Sequence, residues 1–440
     1  MRLICIALKL GECPVVWYIA LMKSFDVIVV GGGAAGMMTA GRAAERGKRV
    51  LVVEKNKHLG QKLSITGGGR CNITNAEYNN RILLVNYGDA EQFLYSTFSK
   101  FAVEQTFSFF EERGLPLVVE AGNRAFPKTL KATDVTKVMV QYLRAYGVRV
   151  RTQTAVKAVV MEDGRVVGVD TDCGLFKADT VVLATGGLSH SDTGATGDGF
   201  NWLRNLGHTV HDPNPNIVPL KVADAWVKKL SGTSLTNMTI TFFKTQPAPL
   251  DQKRTVAFSK TGGILFTHFG LSGPLILNST HDVKPLLQQG SVSAEIDLFP
   301  DTTRSDVDRA VLDIFASNRN KLVRTVLKAL CPAGMVSAVA AHLKGTLLET
   351  KISHVTQDER GTLVRLLKGL PLTVAGTMGY DWAVISDGGV PLTEVDTRSM
   401  ASRLHPNLFV IGDLLHINRP SGGYSLQLCW TTGWVAGSHV

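Results

Sequence analysis

The sequence predicts an α/β fold in which a parallel nucleotide-binding sheet is interrupted by a second region inserted in the chain. Three observations predict it. The apolar run FDVIVV (25–30) leads straight into Gly31-Gly32-Gly33-Ala34-Ala35-Gly36 and then a helical pattern closed by Gly47. Two more apolar runs, LATGG (183–187) and LFVIGD (408–413), end in glycine far apart in the chain. After Pro213 and Pro215 the texture changes, and it changes back only near the C-terminus.

The first of these is the most specific. Five of the six residues in FDVIVV are β-branched or aromatic, which suits a strand buried on both faces. MMTAGRAAERG then reads as a helix and KRVLVVEK as a second strand ending in Glu54. About thirty residues is the length of a parallel pair with its crossover helix. Gly31 permits the tight turn, Gly33 admits a pyrophosphate to the backbone, and Gly36 lets helix and strand pack closely. The helix N-terminus offers partial positive charge and free N–H donors. Glu54 is placed to accept from two ribose hydroxyls and to repel a 2′-phosphate.

Further along, a glycine-rich stretch covers 60–75, and helical patterns cover 90–113 and 134–146. Strands follow, with turns near Asp163-Gly164 and Cys173-Gly174, ending on the buried run 180–184. From 216 to 300 strand-like stretches alternate, as in LTNMTITFF and GSVSAEIDLF. Residues 301–370 read as helices, and SLQLCWTTGWVAG (425–437) as a last helix.

Composition sets the class. At 440 residues, two or three domains are expected, and 45% apolar with 19% charged residues is a globular balance. The formal charge of +10 attracts anions, but no basic run or arginine-rich arm marks a nucleic-acid surface. Cys5, Cys13, Cys71, Cys173, Cys331 and Cys429 form no CxxC pair and no metal-ligand spacing, so a reduced, cytoplasmic home and no metal are expected. No stretch is long enough for a membrane span. Residues 1–21 start basic, then apolar, but Lys9, Glu12 and Pro14 break the run; an extension outside the fold is expected rather than a secretion signal.

The glycine fingerprint alone leaves FAD and NAD open. Three later segments choose FAD. Thr185 and Gly186 can lie against the dinucleotide. Asp413, after Gly412, can bind ribityl hydroxyls. SGGYSLQ (421–427) begins a helix whose N–H groups can face the pyrimidine edge of a flavin and stabilise negative charge there.

These segments, with GQKLSITGGGRCNITN (60–75), GNRAFPKTLKATDV, ATGDGF, LFTHFGLSGP and GGYSLQ, resemble the BaiN-like or aminoacetone-oxidase-like NAD(P)/FAD-dependent oxidoreductases, bacterial flavoproteins of the two-dinucleotide-fold superfamily. The resemblance spans nearly everything from Met22 to Gly437. It implies a Rossmann-like FAD-binding domain (22–215 and 393–440) interrupted by an inserted β-barrel (216–300 and 371–392) and a helical region (301–370). It also implies FAD contacts from Gly31, Gly32, Gly33, Ala34, Ala35, Glu54, Lys55, Arg70, Cys71, Asn72, Val156, Thr185, Gly186, Asp413, Gly423, Tyr424, Ser425 and Leu426. Many relatives have Glu where this chain has Asp413 and Asn where it has Ser425, so the ribityl and pyrimidine contacts differ in detail.

For catalysis the sequence offers three side chains. Cys71 beside Arg70 suggests a lowered thiol pKa, although no second cysteine makes a dithiol pair. His190, after the paired glycines, is a possible proton donor, and Tyr424 a contact to the flavin ring. Each has an ordinary alternative in solvation or packing. Arg124, His268 and Arg419 are weighed as substrate contacts against structural roles. No second GxGxxG follows a strand, so NAD(P)H is expected as a visitor to the flavin. The resemblance suggests hydride transfer from NAD(P)H to an activated C=C bond of a small organic substrate. Ribosomal RNA dihydrouridine formation, an amine oxidase using O2, and a non-catalytic FAD module are the alternatives.

Overall fold

The computed structural model describes residues 25–244, 254–343 and 345–440. Residues 1–21, read as an extension, and with them Cys5 and Cys13, lie outside the described residues. The chain divides into two compact units: one ends at Asn214 and resumes at Ile385, and the other runs from Pro215 to Val384.

In the first unit, strand Phe25–Val30 pairs in parallel with Val50–Val53 on one side and Gly174–Leu183 on the other. Arg149–Arg151 extends the sheet beyond Val50–Val53, and Leu408–Val410 extends it beyond Gly174–Leu183, both in parallel. Val27 to Val30 and all of Val50–Val53 are buried, as strands covered on both faces must be. An antiparallel extension, Val156–Glu162 and Arg165–Thr171, joins through Gly174–Leu183.

The crossover helix Ala34–Glu45 buries nine of its twelve residues, and the C-terminal helix Tyr424–Gly437 also buries nine. The two cross in backbone contact at Gly433, where a Cβ would stand 2.6 Å from the Ala35 carbonyl oxygen. Thr39 Oγ1 donates to the Gly433 carbonyl at 3.0 Å, closing the crossing. Such an approach explains why an apolar C-terminal segment folds back under the glycine loop.

The helical run expected over 90–113 is broken. Helices Glu91–Phe98 and Val103–Glu111 flank a turn in which Phe101 leaves the helical path and is buried. Its ring packs 4.8 Å from Trp434, and its carbonyl accepts from Thr431 Oγ1 at 2.8 Å. Tertiary burial of one aromatic overrides the helical periodicity.

The second unit contains a closed six-stranded antiparallel barrel, in the order Leu220–Val222, Gly270–Ser272, Val256–Thr267, Ser234–Phe243, Val292–Asp297 and Leu370–Thr377. Ile240 and Phe242 point inward and are fully buried, while Thr239 and Thr241 point outward and pair with Thr261 and Ser259 at 2.6 and 2.8 Å. This is the period of two that a half-buried strand requires.

Helices Arg304–Ala316, Val323–Leu330, Val336–His342 and Gln357–Lys368 share one apolar core with the barrel, Val311 and Leu367 joining Ile240 and Ile296. Barrel and helical region are thus one unit, where the sequence reading separated them. The return to the first unit also comes earlier than 393. Strand Ile385–Gly389 pairs with His211–Asn216, and Val390 N–H donates to Leu414 O at 2.8 Å.

Candidate functional site

The glycine loop is shaped by close approach. Gly31 has φ +103°, and a Cβ there would stand 2.5 Å from Ala184 O; a Cβ on Gly36 would stand 1.9 Å from Gly31 O. Gly33 differs, because a Cβ on it would meet nothing within 4 Å. It precedes a helix with no side-chain cap, so the first N–H groups of Ala34, Ala35 and Gly36 face that open space.

Glu54 is buried at the end of its strand. Its Oε2 accepts from Gly32 N–H at 2.7 Å and its Oε1 from Asn56 N–H at 2.8 Å. The carboxylate therefore holds the loop peptide.

A cavity opens at the carboxyl ends of the first two strands. Five residues named from the sequence line it: Gly31, Glu54, Lys55, Val156 and Thr185. Trp202 and Asp198, which sequence reasoning missed, line it too. Thr185 Oγ1 is buried there with no hydrogen-bond partner among the described residues. A buried hydroxyl left unpaired is rare and calls for a partner. Lys55 Nζ pairs with Asp198 at 2.8 Å and also bonds Thr196. Burial raises the Asp198 carboxyl, but the bonds from Lys55 and Thr196 outweigh it and hold the pKa below its usual value.

A second cluster gathers around Asp413, in the turn after strand Leu408–Val410. Arg419 forms an ion pair with Asp413, donates through Nε to Ser425 Oγ at 3.1 Å and through Nη1 to Ile417 O at 2.8 Å. Its side chain is 1% exposed, which makes it a structural clamp rather than a free substrate contact. Lys62 Nζ lies 3.8 Å from Asp413 and 2.5 Å from Ser189 Oγ. Burial raises the Asp413 carboxyl, yet Arg419 and Lys62 together keep its pKa below the usual value. Burial likewise depresses the Lys62 ammonium, against the pull of Asp413. Lys62 sits in GQKLS, where only its place in that loop could have marked it. Nearby, Gly412 N–H donates to Thr432 Oγ1 at 3.2 Å.

The glycine-rich stretch 60–75 reaches the C-terminal helix through Asn72. With its amide oriented to satisfy both ends, Nδ2 donates to Ala125 O and Thr74 O at 3.1 and 3.0 Å, and Oδ1 accepts from Gly423 N–H at 2.9 Å. Thr74 Oγ1 in turn donates to Gln427 Oε1 at 2.6 Å. The helix begins at Tyr424, so Ser425 and Leu426 stand in its first turn. Gly186 takes φ +75° just beyond Thr185.

The three candidate catalytic residues fare differently. Cys71 is fully buried, and burial pushes its thiol up to about 12. The expected lowering fails because the Arg70 guanidinium turns away to Glu120 and stacks 4.4 Å over Phe126. His190 has φ +55°, a left-handed backbone costly for a histidine, and its Nδ1 lies 3.9 Å from Asp192. Tyr424 is half-buried, its ring edge-on to Tyr87 at 5.9 Å, and burial raises its phenol pKa. Arg124 Nε donates to Ala121 O at 2.9 Å, and the His268 ring packs 4.9 Å from Phe269 in the second unit.

Parallel strands, an open helix N-terminus and an acidic residue ending the second strand define a dinucleotide-binding Rossmann protein. The chain belongs to the HI0933-like protein Rossmann-domain family, whose model matches residues 25–439, and it is an FAD-dependent oxidoreductase. It is 29% identical over 422 residues to 3-dehydro-bile acid delta(4,6)-reductase of Clostridium scindens, covering 93% of this chain and 97% of the relative. It is 27% identical to a ribosomal RNA dihydrouridine synthase of Haemophilus influenzae, covering 93% and 96%. Among solved structures, 3-ketosteroid delta1-dehydrogenase from Sterolibacterium denitrificans shares the fold, with TM-score 0.53 at 13% identity over 95% of this chain and 99% of that one.

The residues present fit FAD: the clear space at Gly33 suits a diphosphate against the backbone, and the unpaired Thr185 hydroxyl suits a polar group of the dinucleotide. Among the described residues no helix is long and apolar enough to cross a membrane.

Proposed function

We propose that this protein reduces an activated C=C bond of a small organic substrate, drawing hydride from NAD(P)H. The observation that carries the reading is the cavity where Gly31, Glu54 and the unpaired Thr185 hydroxyl meet. The name of the Clostridium scindens relative, a reductase, supports the direction of the chemistry.

In this reading FAD, when bound, would supply hydride transfer at N5. The chain does the rest. N–H groups from Gly33 to Gly36 hold the diphosphate, with Glu54 on the adenosine ribose and Lys55, Val156, Thr185 and Gly186 along the dinucleotide. Arg70, Cys71, Asn72, Gly412 and Asp413 stand toward the ribityl and flavin end. The N–H groups of Tyr424, Ser425 and Leu426, at a helix N-terminus, favour negative charge on the pyrimidine edge. The Tyr424 phenol, kept neutral by burial, and His190 are the groups able to deliver a proton to the substrate carbon. Cys71, held as a thiol, is not.

The test is anaerobic. NADPH or NADH should bleach the yellow protein, and an α,β-unsaturated ketone should restore the colour. Parallel double-reciprocal lines are expected, because the nicotinamide leaves before the substrate arrives. A protein that stays yellow with every donor sinks the reading in favour of a non-catalytic FAD module.

A second reading is dihydrouridine formation in ribosomal RNA, the same reduction on a uracil ring. Two relatives carry that name, and the charge of +10 suits a phosphate backbone. Mass spectrometry of ribosomal RNA from cells with and without the gene decides it.

A further inference from the structure

Beside the edge strand Arg149–Arg151 of the first unit lies a groove of about 790 Å³, a size that accommodates a small organic molecule. One wall is the helix Ala132–Ala145, whose Thr133, Thr136, Val140 and Arg144 recur at helical spacing and line it. The opposite face of that helix, with Val135, Val138 and Met139, is buried in the core, so the groove side is the one left open. The short helix Gln61–Ile65 and the loop before it form the other wall.

The floor is apolar: Ile65, Leu143, Val148 and Val150 line it, and Ile65 remains 46% exposed. Lys57, His58, Lys137 and Arg144 stand around it, and no lining residue is acidic. Lys137 is paired with Asp134 at 3.0 Å, whereas Lys57 and Arg144 make no ion pair among the described residues. An apolar floor under unopposed positive charge calls for one kind of occupant.

We propose that this groove is a second binding site, specific for a small amphipathic anion with a hydrocarbon body and one carboxylate. The occupant is a free monomer rather than a lipid surface, because a concave groove buries a chain that a flat bilayer cannot insert without leaving its own core.

The groove also touches the dinucleotide loop. Leu59 lines it, and Leu59 Cδ2 stands 2.2 Å from where a Cβ on Gly32 would lie. Gly60 N–H donates to Gly32 O at 2.8 Å. An occupant that stiffens residues 57–60 therefore tightens FAD binding; this coupling rests on the flavin reading, whereas the site itself does not.

The experiment titrates decanoate, below its micellar concentration, into the full-length protein by calorimetry, with decanol and phosphatidylglycerol vesicles as comparisons. Saturable one-to-one binding of decanoate is expected, with decanol weaker by about tenfold or more, the equivalent of one lost charge contact. Arg144→Glu and Lys57→Glu, both exposed, should each weaken decanoate by a similar factor and leave flavin content unchanged. Hydrogen exchange should slow in residues 57–65 and 133–152. Equal binding of decanol, binding to vesicles but not to monomeric decanoate, or protection elsewhere would overturn the proposal. Decanoate binding by a protein that holds no flavin overturns the flavin reading alone.

Discussion

Asn72 and Gly423 are hydrogen-bonded, with the side-chain oxygen of one accepting the backbone N–H of the other at 2.9 Å. The bond ties the glycine-rich loop to the start of the C-terminal helix. It gives GGGRCN and GGYSLQ one shared structural reason to occur together.

Replacing Asn72 by Ala strips the Gly423 N–H of its acceptor and the Thr74 and Ala125 carbonyls of one donor, although Ala125 O keeps the Ile73 N–H. The expected loss is about 1–3 kcal/mol of stability. Asn72→Asp keeps the acceptor but turns a charged oxygen toward the carbonyls of Ala125 and Thr74, so it should be at least as damaging. Urea denaturation of the three proteins checks the order; an aspartate variant as stable as the parent contradicts this geometry.

Thr185 separates stability from binding. Its hydroxyl is buried without a partner, so Thr185→Val removes an unsatisfied group and should leave the flavin-free protein as stable or slightly more so. FAD affinity should fall by about tenfold, the equivalent of about 1.4 kcal/mol, if the hydroxyl serves the cofactor. Flavin fluorescence during titration of the stripped protein measures it. Unchanged affinity removes Thr185 from the site.

Arg419, weighed from its place before PSGGY as a substrate contact against a structural role, takes the structural one: the folded chain buries it between Asp413 and Ser425. Arg419→Met leaves the Asp413 carboxylate with only Lys62 at 3.8 Å, and losing one partner of a buried pair costs about 3–5 kcal/mol. The Asp413 pKa should rise in that variant, and Asp413→Asn added to it should recover part of the loss. Thermal melts of the single and double variants read both outcomes.

The reasons for what the sequence disclosed follow from distance along the chain. The strand–loop–helix–strand from Phe25 to Glu54 is local, so periodicity and glycine spacing were enough. The barrel showed as alternation in 235–243, because Ile240 and Phe242 obey the same period in the fold. The buried Asp413–Arg419–Lys62 cluster was not legible, since Lys62 reaches Ser189 across 127 residues and no local pattern announces that pairing. Cys71 shows the opposite failure. A neighbour in sequence, Arg70, suggested an activating charge, but its guanidinium is spent on Glu120, and burial alone sets the thiol.

A buried histidine predicts the pH dependence of stability. His208 Nδ1 faces Glu394 Oε2 at 2.7 Å, and its Nε2 faces Ser402 Oγ at 2.8 Å. Ser402 Oγ already accepts from the N–H groups of Leu404 and His405, so its own proton goes to Nε2 and the ring is held neutral. Burial depresses the His208 pKa, against the bond to Glu394, and the nearby His405 ring depresses it further. Because the folded state binds this proton less readily than the unfolded chain, stability is full above the ordinary histidine value near 6.5 and declines as pH falls toward the depressed value. One such group limits the slope to about 1.4 kcal/mol per pH unit. Glu394 acts lower down. Burial raises its carboxyl, but bonds from Thr209 and His208 outweigh this, so its contribution is lost only below 4.5. Urea unfolding between pH 7.5 and 5 should show the decline in the parent and a flatter profile in His208→Gln. Equal slopes in the two proteins would show that His208 binds its proton as readily in the fold as in the unfolded chain, against the geometry at Ser402.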